Sequence, residues 1–110
     1  IKITKITIEP GICGLKTVLS ITSDDTKCVA INTDSKCPYI TKMGEVLGEL
    51  GKLDGLTEVF SKFGDSRVFE IAKMYCKHVA CVVPSAILKG IEVECGLALI
   101  KDVNIAMQKE

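Results

Sequence analysis

Residues 2–9, 15–22 and 27–33 are dense in Ile, Val and Thr and are separated by short polar or glycine-containing breaks, a pattern that predicts three consecutive strands. The breaks are Pro10-Gly11-Ile12-Cys13-Gly14 and Ser23-Asp24-Asp25, each short enough to join antiparallel neighbours. In the second strand Thr17, Leu19 and Ile21 alternate with Lys16, Ser20 and Thr22, so one face is expected to be buried beneath helices and the other wet. From Pro38 the period lengthens. Ile40, Met43, Leu47 and Leu50 lie on one helical face ended by Gly51, with Gly44 and Gly48 weakening the helix. Asp54 is placed to cap a shorter helix carrying Leu56, Val59, Phe60 and Phe63, and Asp65 or Ser66 a third with the stripe Val68, Ile71, Ala72, Tyr75 and Cys76. Pro84 suits the first turn of a fourth helix bearing Ile87, Leu88, Ile91 and Cys95, stopped by Gly96 with Leu97 folding back. Val103, Ile105 and Met107 predict a closing strand.

These elements describe one α+β domain over residues 1–110: an antiparallel sheet of three N-terminal strands plus one C-terminal strand, covered on one face by three or four helices. No internal repeat or linker divides it. At 110 residues and 47% hydrophobic composition without tryptophan, an aliphatic core can form without disulfide staples.

Charge narrows the function classes. Fourteen basic residues balance fourteen acidic ones, which leaves no global field for nucleic acid or an anionic membrane. The five aromatic residues do not interleave with Lys or Arg as a base-stacking surface would. No apolar run reaches membrane-spanning length and the N-terminus lacks the pattern of a signal peptide, so a soluble cytoplasmic protein is expected. In that reducing compartment six cysteines argue against a disulfide framework.

Chemistry therefore rests on the thiols. Cys28 in a strand and Cys76 and Cys95 on helical stripes read as small hydrophobes. Cys13 lies between glycines that let backbone N–H groups turn toward a thiolate or anion. Cys37 precedes Pro38 as an N-cap whose sulfur should face free helix N–H groups, and Cys81 approaches a second helix start through Val82-Val83-Pro84. A helix N-terminus lowers a thiol pKa and favours thiolate. With His78, the only histidine, these three cysteines supply a sulfur–nitrogen donor set for zinc, or three thiolates for an iron–sulfur cluster. The first alternative is a sulfur carrier or redox protein without metal, and the second an interaction domain without chemistry, pairing through an exposed sheet edge as a homodimer. Hydrolase machinery lacks support, because one histidine would serve every role and no Gly-x-Ser-x-Gly element occurs. Whether the protein is an enzyme, and on what substrate, the residues leave open.

The stretch from Cys81 to Leu99, continuing into Lys101-Asp102-Val103, resembles the C-terminal signature of an uncharacterised family of small proteins, a domain of unknown function. Pro10 to Gly14 and Cys37-Pro38 are similar to its other motifs, so the resemblance spans most of the chain and implies a fold without an activity. Val82 stands where that pattern has proline and Cys95 where it has a smaller residue. Cys81 and Pro84 also resemble the Cys-Pro-x-Pro helix start of sulfur-carrier proteins, which hold sulfur as a persulfide.

Overall fold

The computed structural model describes residues 2–110. Three strands, β1 (Lys2–Ile8), β2 (Thr17–Ser23) and β3 (Cys28–Ser35), form an antiparallel meander. The short β4 (Lys52–Asp54) then pairs with β3, giving the order β1-β2-β3-β4. Among the described residues there are also four helices: α1 (Pro38–Glu49), α2 (Gly55–Phe60), α3 (Arg67–Tyr75) and α4 (Val83–Glu94). The α+β class and the four-stranded antiparallel sheet are as anticipated. The fourth strand, however, comes from residues 52–54 and not from the C-terminus.

Register follows from burial. Ile6 lies opposite Leu19, and Ile21 opposite Ile31, so the inward row is continuous across β1, β2 and β3. Leu19, Ile21 and Val29 have no exposed surface, whereas Val18, Ser20 and Thr22 on the other face are only half-buried. A one-residue slip would exchange these rows, so the burial pattern itself specifies the pairing. At the β2–β3 turn the Asp25 carboxylate accepts hydrogen bonds from the Cys28 and Lys27 N–H groups, which hold its pKa below the ordinary value.

Helix packing explains two glycines that weaken helices intrinsically. A Cβ at Gly44 would strike Thr33 of β3, and one at Gly90 would strike Ile6 and Ile21, so both residues let a helix lie directly on the sheet. The stripes Ile40, Met43, Leu47 on α1 and Ile87, Ile91 on α4 are buried as the periodicity requires. Ser66 caps α3 by accepting from Phe69 N–H at 3.2 Å. The buried Glu58 carboxylate reaches across from α2 and accepts from Arg67 and Val68 N–H at 3.0 and 2.9 Å. Two side chains thus satisfy three of the orphan donors at that helix start.

Two expectations change. The helix from Asp54 is only six residues long, and Leu56, Phe60 and Phe63 are exposed, because this segment faces the body through Gly55 and Glu58 instead. The C-terminal segment forms no strand: residues 99–110 are all exposed, with Val103 and Ile105 at 65%. Alternation supplies a strand's side-chain pattern, but a strand also needs a hydrogen-bonding neighbour.

Candidate thiol site

The N-terminus of α4 lies at the end of the sheet where β1 finishes and β2 begins, since Gly90 meets Ile6 and Ile21 while Glu94, further along, reaches Thr4 and Ser23 at the opposite end. The same mouth holds the start of α1, tied to the β1–β2 hairpin by the Lys36 N–H to Lys16 carbonyl bond at 3.0 Å. It also receives the end of α3. Three half-buried cysteines, Cys37, Cys76 and Cys81, pack against the core there.

Cys76 is the C-cap of α3, its N–H donating to the Ala72 carbonyl at 2.8 Å. The backbone then leaves the helix and bends through Lys77 to Ala80. The His78 carbonyl oxygen accepts from the Cys76 thiol at 3.5 Å and from the Cys81 N–H at 3.0 Å. One backbone oxygen therefore gathers both cysteines. The His78 imidazole plays no part in this arrangement and is exposed.

Cys81 precedes the Val82 N-cap, and the Val83 N–H donates toward its sulfur, the helix-start contact that lowers a thiol pKa. Burial opposes it and dominates. With the nearby Cys76 and Cys37 sulfurs adding to the burial effect, the Cys81 pKa is pushed up from the ordinary 9.0, contrary to the activation anticipated from its position. Cys37 does occupy the N-cap position of α1, but its sulfur makes no capping hydrogen bond. Thr41 bonds instead to the Cys37 carbonyl through its N–H and its hydroxyl, both at 2.9 Å. Cys37's side chain is thus directed into packing.

Cys13 lies at the exposed tip of the β1–β2 hairpin, in a turn closed by the Gly14 N–H to Gly11 carbonyl bond at 3.0 Å with both glycines at positive φ. The structure therefore brings Cys37 and Cys81 together and leaves Cys13 and the His78 ring in solvent at the same end. Among the described residues, no three His, Cys, Asp or Glu side chains are placed to hold a metal ion. A separate groove of about 330 Å³, lined by Val59, Phe63, Phe69 and Leu88 among others, contains no cysteine.

A family model described as a family of unknown function (DUF6951) matches residues 4–107. The chain belongs to that family. No curated protein and no solved structure matches it. The matched span includes all six cysteines and attaches no chemistry to any of them.

Sequence reasoning missed Cys76, whose place on the α3 stripe reads as packing. The available signal was the interval Cys76-Lys77-His78-Val79-Ala80-Cys81, two thiols on either side of a helix end and a helix start. The remaining pair belongs elsewhere. Cys95 is buried against Gly55, and Cys28 begins β3, so both lie at the far end of α4. Burial first, and the neighbouring Glu94 second, push the Cys95 pKa up.

Proposed function

We propose that this protein is a thiol redox protein whose working couple is Cys76 and Cys81. The observation that carries the reading is the shared His78 carbonyl, which holds the two cysteines at the ends of one short exposed loop. A disulfide requires Cα atoms within roughly 4.4–6.8 Å and converging Cβ vectors, a demand that a short adaptable turn meets with little movement of the core. A small-molecule disulfide is the oxidant. One cysteine thiolate attacks it, releasing a first small thiol, and the second displaces the other half from the mixed disulfide. A Cys76–Cys81 bond forms, the oxidant's S–S bond breaks, and the two cysteine protons end on the two small thiols released. Cys37 is the third sulfur in this neighbourhood and the competing partner for Cys81.

The test is equilibration of the native protein in glutathione buffers between roughly −180 and −300 mV, followed by acid quenching, alkylation and peptide mapping. A Cys76–Cys81 linkage that appears and disappears reversibly supports the reading. Two free thiols throughout would refute it.

A competing reading places a zinc ion or an iron–sulfur cluster on Cys13, Cys37, Cys81 and His78. Its support is the common location of these residues at one end of the fold, and it requires the 11–14 turn and the 77–80 loop to close inward. Stoichiometric zinc or iron in anaerobically prepared protein, lost in Cys13→Ser, would establish it over the redox couple. An interaction domain without chemistry predicts neither linkage nor metal.

A further inference from the structure

We infer that the C-terminal segment 101–107 is a strand that completes the sheet of a second copy of this chain, so that two copies exchange tails. Two unpaired features of the same molecule fit one another. The first is β1, an edge strand of seven residues that, among the described residues, is paired only with β2. Its outer backbone groups form a row able to receive another strand. The second is the segment Lys101-Asp102-Val103-Asn104-Ile105-Ala106-Met107, seven residues that alternate as a strand does yet form no strand among the described residues.

The two faces match as well as the lengths. On β1, Thr4, Ile6 and Ile8 face the helices, and Ile3, Lys5 and Thr7 face away. On the tail Val103, Ile105 and Met107 share one side, and Asp102, Asn104 and Ala106 the other. Docked with its apolar side in the helix-facing row, the tail extends the core beyond Ile6 and Ile8 and places its polar side in the row containing Lys5. The helix above this edge offers a matching flank. Ile91 and Cys95 of α4 face α2 through Gly55, which leaves Ala86 and Val93, both half-buried, on the side overhanging β1. Three exposed apolar side chains would be covered there: Val103 and Ile105 at 65% exposure and Met107 at 92%.

The occupant is a second copy because every molecule carries both halves. The tail leaves α4 at Gly96, beside the beginning of β1, where Glu94 is bonded to Thr4. It then runs into solvent without turning onto its own edge. Reciprocal exchange gives two identical contacts about a two-fold axis, a closed arrangement in which β1 and the tail of each copy are both paired. β4 is a poorer acceptor, with three residues.

The experiment is sedimentation equilibrium of the full chain over a concentration series, with hydrogen exchange of residues 2–8 and 101–107 read at each concentration. The inference expects a dimer whose protection in both segments rises with dimer fraction and vanishes on dilution. Ile105→Asp, on an exposed residue, should leave the far-ultraviolet circular dichroism unchanged. It should weaken association by roughly a hundredfold or more, because the lost burial counts in both contacts. Mixing Ile105→Asp chains with Lys5→Pro chains should restore one contact, provided the Lys5→Pro chain keeps its native circular dichroism; the exchange measurement decides the matter if it does not. A monomer at every concentration, protection of 101–107 that is independent of concentration, or a dimer indifferent to Ile105→Asp would each overturn it.

Discussion

The two ends of α4 are built on opposite principles. At its C-terminus the buried Glu94 carboxylate accepts from Thr4 at 2.7 Å and Ser23 at 3.0 Å, joining α4 to β1 and β2 through ionic hydrogen bonds with both oxygens occupied. At its N-terminus three half-buried cysteines lie near one another, and the His78 carbonyl accepts from the Cys76 thiol and the Cys81 N–H, next to a loop exposed from Lys77 to Ala80. A buried carboxylate fully paired is costly to disturb and therefore structural. Thiols that flank a short exposed loop cost less to rearrange, which leaves them open to the proposed chemistry. That contrast, more than the number of cysteines, is the reason the proposed redox couple is placed at the Cys81 end.

The largest effect should come from removing the carboxylate. Glu94→Ala strands two buried hydroxyls and should lower stability by about 3 kcal/mol, seen as a shift of the urea midpoint without a change in slope. Glu94→Gln keeps one acceptor and should cost less. An effect below about 1 kcal/mol for Glu94→Ala would dissolve the contrast. Next, Cys95→Ser buries a hydroxyl against Gly55 and Ile91 and should cost about 1–3 kcal/mol, whereas Cys81→Ser, half-buried, should cost about 1 kcal/mol or less. Equal costs would show that both thiols serve packing alone. Cys13→Ser at the exposed hairpin tip should stay within about 0.5 kcal/mol of the parent.

Alkali provides a third test. The folded-state pKa values of Cys81 and Cys95 lie above the ordinary 9.0, so the native state holds these protons more tightly than the unfolded chain. Their contribution is complete below about pH 9 and is lost as pH rises through the folded values. Urea midpoints measured from about pH 8 to about pH 10 should fall at the upper end, and the fall should shrink in Cys95→Ser. Alkylation of Cys81 at neutral pH should be slower than that of Cys13, which is solvent-exposed, and should accelerate about tenfold per pH unit up to its raised pKa. Fast labelling of Cys81 at neutral pH would contradict the dominance of burial at this position.

Legibility in the sequence divides along the same line. Periodicity and capping residues sufficed for β1 to β3, for the stripes of α1, α3 and α4, and for the start at Ser66 and the stop at Gly96, because these depend on local backbone chemistry. β4 escaped because three residues cannot display a period, and the tail misled because alternation does not reveal which edge a strand will meet. Glu94 reads locally as a surface charge; only the packing of α4 over Thr4 and Ser23 makes it a buried acceptor. At the thiol end the helix starts made Cys37 and Cys81 visible. Cys76 was hidden because a residue on an apolar stripe can also be the cap that ends its helix.

The most direct measurement of the central claim is a crystal structure of the protein oxidised under native conditions. The account predicts a covalent Cys76–Cys81 bond, with the 77–80 loop rearranged and the sheet and α4 unmoved. A Cys37–Cys81 bond, or Cys76 and Cys81 both still reduced while the oxidant has reacted elsewhere, would contradict it.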